Sequence, residues 1–286
     1  MRALLCVSKG AAGSLITEMN IAGSFARLNL LPVWRRKLTV WGCPMAAPSL
    51  DRLVCLALHR VGWLGKEERT LFQRWIRPGM VVVDVGANLG LYSLLFSKLV
   101  GSSGSVIAFE PEPDMFEALA RNCERNAAGN IVLVNQALGS TPGTALLSRS
   151  LVHGGDNRLA LGHKAGFSRM VPVQVVTLDE AIGQRRVDFI KIDVQGWEGE
   201  VFRGMEGVLA NNPDLQIYFE FWPRGLTNAG SSPAELLGRL RDRGFHLAAQ
   251  IKGELKPLRS FAEVGKDLTG HRFINIYARR HRQTRM

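Results

Sequence analysis

Between residues 79 and 221 short unbroken apolar runs alternate with longer amphipathic stretches. Val81–Val85 and 187–192 read as strands buried on both faces, because a strand with one wet face would alternate apolar and polar residues, and Ser105–Phe109 and Ile131–Val134 read as two further strands. Leu91–Val100 and 113–126 carry helical spacing, and Pro113 suits a first helical turn, where its missing N–H costs little. Such alternation means βαβ units, a parallel sheet and helices on both of its faces. Upstream, Ser49 is placed to cap a helix carrying Leu53, Val54, Leu56, Ala57 and Val61, a second helix spans 66–76, and Arg77-Pro78-Gly79 is a turn. Downstream the rhythm breaks over 139–176, where two β-like runs among glycines and serines suggest an inserted hairpin or flap. It resumes with a short helix at 178–182, a helix over 198–209 and a strand over 215–221. A helix from Ser232-Pro233 to Arg243, the strand Phe245–Ile251 and a last strand at 273–277 complete it.

These elements imply one doubly wound α/β domain over 51–278, preceded by a poorly defined extension, 1–50, and followed by a basic tail, 279–286. In such sheets ligands bind outside the carboxyl ends of the strands, where the strand order reverses. The segment Val83-Asp84-Val85-Gly86-Ala87-Asn88-Leu89-Gly90 lies at such a strand end and opens a helix. Gly86 and Gly90 let backbone approach a ligand closely. Glu110 ends the next strand and is placed to accept the hydroxyls of a ribose. Asn88 stands where a dinucleotide site has glycine, and Asp84 suits an ammonium better than a phosphate, so S-adenosylmethionine is favoured over NAD. Gln136, after the third strand, is a candidate for the adenine edge.

A second constellation is Ile190-Lys191-Ile192-Asp193-Val194-Gln195-Gly196-Trp197-Glu198. Asp193 ends the central strand at the crevice and could orient an acceptor hydroxyl, act as a base or help hold a cation. Glu198 either faces the crevice or simply begins a helix, whose dipole favours a carboxylate there. Glu220 ends the next strand among aromatics, and His153 lies in a glycine-rich loop; both are candidate catalytic groups.

Composition narrows the partners. The net charge of +11 is uneven: Lys+Arg minus Asp+Glu gives +8 over 1–78, −5 over 79–223 and +8 over 224–286. Basic flanks suit weak contact with an anionic surface, and they sustain an RNA methyltransferase as the alternative reading. Against nucleic acid stand the absence of an Asn-Pro-Pro-Tyr-type motif, of a catalytic Cys motif and of an appended RNA-binding module. The cysteines, Cys6, Cys43, Cys55 and Cys123, are scattered without CxxC or metal spacing, so neither a disulfide framework nor a metal site is expected. No apolar run reaches the ~18 residues of a membrane span, and the apolar N-terminal run is too short for a signal peptide, so a cytoplasmic location is expected.

The ordered set Asp84 to Gly90, Phe109-Glu110-Pro111-Glu112-Pro113 with Leu119 and Asn122, Asn135 to Gly139, Val176-Thr177-Leu178-Asp179, Ile190 to Glu198 and Gly204 resembles the FkbM family of methyltransferases. One departure is Gln195, where the family more often has Glu. The resemblance implies a Rossmann-like class I methyltransferase fold, mostly parallel with an antiparallel last strand; residues 1–50 carry little of it, and the N-terminal helical extension is expected from a weakly helical stretch over 21–31. It implies transfer of a methyl group from S-adenosylmethionine to a hydroxyl on a sugar, a glycolipid or polysaccharide, or a polyketide-like small molecule. By position it assigns cofactor contacts to Asp84, Gly86, Asn88, Gly90 and Glu110, with Asp193 and Glu198 at the crevice.

Overall fold

The computed structural model describes residues 38–46, 65–150, 158–160 and 168–280. The expected helix after Ser49 and the loop carrying His153 lie outside the described residues. The first described elements are an antiparallel hairpin, β1 (Leu38–Val40) and β2 (Cys43–Met45), and the helix α1 (Lys66–Trp75). The expected βαβ series follows: β3 (Val81–Val85), α2 (Leu91–Val100), β4 (Ser105–Phe109), α3 (Pro113–Arg125) and β5 (Ile131–Val134). The inserted region is β6 (Ala137–Leu138), β7 (Gly143–Ser150), β8 (Arg158–Ala160) and β9 (Ser168–Val176). After it come α4 (Leu178–Ile182), β10 (Phe189–Ile192), α5 (Glu198–Arg203), α6 (Glu206–Asn211) and β11 (Gln216–Phe221). The chain closes with α7 (Pro223–Asn228), α8 (Pro233–Asp242), β12 (Phe245–Ile251), β13 (Glu254–Pro257), α9 (Ala262–Gly265) and β14 (Ile274–Arg280).

The main sheet has the order β13-β12-β14-β11-β10-β3-β4-β5. From β5 to β11 the pairings are parallel; β14, β12 and β13 add antiparallel strands. Alternate residues of β3 serve two cores. Val82 packs with Phe72 of α1, Ile76 just past it, and Leu95 and Phe96 of α2, while Val83 and Val85 pack with Val201 and Phe202 of α5 and Leu236 and Leu237 of α8. With both faces covered, the continuous apolar pattern is what burial demands. The strand order reverses between β3 and β10, which puts the ligand crevice at their carboxyl ends.

Three expectations change. The inserted region is a four-stranded sheet, β6-β9-β7-β8, in place of a lone hairpin. The helix expected over 198–209 is two helices broken at Gly204, where a Cβ would stand 2.0 Å from Gly139 O. The second of them is restarted by Asp179, whose carboxylate accepts from Gly207 N at 2.8 Å and Val208 N at 2.7 Å, groups otherwise left without partners in a helix's first turn. The last strand runs through Arg279 and Arg280, read from sequence as tail. Arg280 donates to Arg243 O, Asn212 O and Leu209 O and lies 4.3 Å over the Phe245 ring, tying the strand end to the helical layer. Among the described residues no helix is long and apolar enough to cross a membrane.

Candidate active site

The β3–α2 loop is shaped by what crowds it. Gly86 has φ 78° and a Cβ there would stand 2.0 Å from Asp193 O, so only glycine lets β10 end this close. At Gly90, φ 84°, a Cβ would meet Leu119 Cδ1 at 2.5 Å. Asn88 is itself left-handed, φ 51°, which asparagine tolerates better than most residues, and its Oδ1 accepts from Leu89 N at 2.8 Å. Asn122 of α3 donates to Leu89 O at 2.7 Å and anchors the loop from below.

Glu110 follows β4 and reaches back to this loop. Its Oε2 accepts from Asn88 N at 2.8 Å and its Oε1 from Glu112 N at 2.9 Å. Burial pushes the carboxyl up to about 7, against those two N–H groups, which pull it down. A carboxylate has about four acceptor positions, so two N–H bonds leave room for hydroxyls. Asn135 donates to Glu110 O at 2.8 Å, which leaves the half-buried Gln136 as the next amide along the chain.

Asp84 is fully buried, and the ammonium it faces is that of Lys191. Ser93 of α2 donates to Asp84 Oδ2 at 2.6 Å, and Lys191 Nζ stands 3.6 Å from Oδ1. The same Nζ is 3.5 Å from Asp193 Oδ2 and lies 4.9 Å over the Tyr92 ring. Parallel register sets Lys191 beside Asp84 on the neighbouring strand, so their side chains share a face. Burial opposes the lysine's charge, but Asp193 and Asp84 outweigh it and the ammonium ends above its ordinary value. Burial raises the Asp84 carboxyl, with Lys191 and Ser93 restraining the rise.

Asp193 is the accessible end of this chain, with 36% of its side chain exposed. Gln195, at φ 54°, donates Nε2 to Asp193 Oδ1 at 2.9 Å and to Glu220 Oε1 at 3.3 Å, so one amide links both candidate catalytic carboxylates. Glu198 does not line the crevice. It is fully buried, and its Oε1 accepts from Val194 N at 3.2 Å and Gly196 N at 3.1 Å, stapling the turn that carries Asp193. Burial pushes its carboxyl up to about 7, and its Oε2 has no hydrogen-bond partner among the described residues. Among those residues no group of three or more His, Cys, Asp or Glu side chains is gathered as a metal site.

The structure thus brings Asp84, Gly86, Asn88, Gly90, Glu110, Asp193 and Glu220 to one strand-end edge. Sequence reasoning passed over Lys191 and the bridging role of Gln195. A lysine inside the apolar run Ile190-Lys191-Ile192 was the available signal, since lysine is almost never fully buried without a partner.

The chain matches the Methyltransferase FkbM domain over residues 84–247, more than half of its length. It is 30% identical over 152 residues to the hexuronic acid methyltransferase AglP of Haloferax volcanii, covering 51% of this chain and 59% of that protein. It is also 30% identical over 205 residues to the 31-O-demethyl-FK506 methyltransferase FkbM of Streptomyces tacrolimicus, covering 61% of this chain and 76% of that protein. Among solved structures it is similar to an O-methyltransferase from Bacillus cereus in complex with SAH, at 12% identity and a TM-score of 0.43 over 82% of this chain and 92% of that one. The chain belongs to the FkbM family of S-adenosylmethionine-dependent methyltransferases.

Proposed function

We propose that the chain methylates a hydroxyl group on a sugar, a glycolipid or polysaccharide, or a polyketide-like small molecule. The observation that carries this reading is the division of the crevice at the β3/β10 reversal. On one side Glu110 is fixed by the N–H groups of Asn88 and Glu112, and on the other the part-exposed carboxylate of Asp193 is held by Lys191 and Gln195. Relatives named for a hexuronic acid and for a 31-O-demethyl compound support an oxygen acceptor on a small molecule or sugar.

The residues fit the cofactor. Glu110 retains acceptor capacity for the two ribose hydroxyls, the loop 86–90 offers close backbone approach, and Gln136 is the amide nearest in sequence for the adenine edge. Bound there, S-adenosylmethionine supplies an already activated methyl group, so the protein's work is mainly positioning. Asp193 accepts the hydrogen bond of the acceptor hydroxyl and takes its proton at a carboxylate oxygen. Lys191 and Gln195 fix the direction in which that carboxylate points. Asp84 and Glu198 act from behind, one through Lys191 and one through the 194–196 turn.

Calorimetric titration with S-adenosylmethionine, S-adenosylhomocysteine and NAD is the direct test. Binding of the two sulfur ligands alone, weakened at least tenfold in Glu110→Ala, is the expected result. Failure of the wild type to bind either sulfur ligand would overturn the reading.

A further inference from the structure

The family match begins at residue 84 and ends at 247, yet two polar residues beside the crevice lie outside it. Helix α1 enters next to the Lys191 site, since a Cβ at Gly65 would stand 2.7 Å from Tyr92 Oη and the Tyr92 ring carries the Lys191 ammonium. Glu68, in the first turn of α1, accepts from Asn275 Nδ2 of β14 at 3.4 Å. Asn275 is the direct cross-strand partner of Glu220 on β11 and of Gln250 on β12. Directly opposed residues of antiparallel strands project to one face with Cβ atoms about 5 Å apart. The row Glu220, Asn275, Gln250 therefore runs outward from the pair Asp193 and Gln195 without a break. Tyr218 donates its hydroxyl to Gln250, and Gln250 donates to Glu67 at 3.2 Å.

The charges along this row are lopsided. Asp193, Glu220 and Glu68 face Lys191, whose ammonium Asp84 already shares, and Glu67 stands beside Glu68. Burial raises the Glu68 carboxyl, a backbone N–H opposes it, the neighbouring Glu67 and Asp193 add repulsion, and Lys191 restrains the rise. Interleaved carboxylate and amide groups offer hydrogen-bond acceptors and donors to many hydroxyls at once. A carboxylate on the ligand would enter a field of its own sign, partly desolvated, where repulsion is strongest.

We propose that Glu68 and Asn275 are specificity residues that complete the acceptor wall begun by Asp193 and Glu220, and that this wall selects a neutral polyhydroxylated acceptor over an acidic one. The proposal rests on the O-methylation reading and gives it a substrate class.

The test is radiolabelled methyl transfer from S-adenosylmethionine to paired methyl glycosides and methyl glycuronides, with S-adenosylhomocysteine calorimetry alongside. The wild type is expected to favour the neutral member of each pair at least tenfold in kcat/KM. Glu68→Gln, which keeps an oxygen for Asn275, and Asn275→Ala are each expected to raise KM for the neutral glycoside about tenfold, with kcat within about threefold. Neither should change S-adenosylhomocysteine affinity, and Glu68→Gln should narrow the preference against the glycuronide. Equal or reversed preference in the wild type, no transfer to any neutral glycoside, or an unchanged KM in both variants overturns the proposal. Loss of sulfur-ligand binding by the wild type would instead strike the methyltransferase reading beneath it.

Discussion

On the β3–β4 side of the crevice the groups that shape the site are backbone N–H groups and the carboxylate they hold, as at Asn88, Glu112 and Glu110. On the β10–β11 side they are mostly side chains tied to one another, as in the chain from Asp84 through Lys191 and Asp193 to Gln195 and Glu220. The first arrangement is backbone packed closely, with no room for a Cβ at Gly86 or Gly90. The second depends on charge balance among residues far apart in sequence, so it is open to retuning. This difference suits a crevice that keeps one cofactor while its relatives differ in acceptor.

The comparison breaks most sharply at Lys191. Removing its ammonium leaves Asp84 buried without its charge partner, and breaking such a pair costs about 3–5 kcal/mol. Denaturant unfolding of Lys191→Ala should show that loss; a change under about 1 kcal/mol would mean that Asp84 is protonated in the folded state. On the other side, Gly86→Ala sets a methyl group against Asp193 O and forces a non-glycine residue to φ 78°, together costing about 2–4 kcal/mol. Its melting temperature should fall accordingly, and tolerance would mean that β10 can draw back.

Glu198 tests whether a stapling carboxylate is held at a cost. Its folded value of about 7 lies above the ordinary 4.5, so its contribution to stability is fully present below pH 4.5 and is lost as pH rises through 7. Glu198→Gln keeps an oxygen for Val194 N and Gly196 N but removes the charge. It is expected to gain about 1–2 kcal/mol relative to wild type at pH 8 and nothing at pH 4. Equal effects at both pH values would show that Glu198 does not titrate in this window. The smallest effect falls on Glu110, where a carboxylate that ionises near 7 should accept ribose hydroxyls better as pH rises. S-adenosylhomocysteine affinity should therefore climb by up to about tenfold between pH 6 and pH 8, and Glu110→Gln should flatten the curve.

These contrasts also explain what could be read from the chain. The strands β3 and β4 were legible because burial on both faces leaves an unbroken apolar run, β5 kept an apolar run although it is the edge strand and exposes Val132, and Gly86, Gly90 and Glu110 were legible because a strand-end turn concentrates its chemistry within a few residues. Glu198 was ambiguous because a carboxylate at a helix start has the same pattern whether it faces solvent, ligand or its own turn. The break at Gly204 was hidden because its cause, Gly139 O, lies in the inserted sheet. Arg280 looked like tail because nothing local reveals that Leu209, Asn212 and Arg243 present carbonyls to it.

By itself the sequence determined the doubly wound sheet, its strand-end edge and the glycine turn between β3 and α2, since each follows from periodicity or from residue types within a few positions. Only the tertiary structure decided that Asp84 faces Lys191, that Gln195 joins Asp193 to Glu220, and that Glu68 meets Asn275. Those pairings are set by strand order and register, which bring together residues up to 207 positions apart, and no local pattern encodes a partner at that distance.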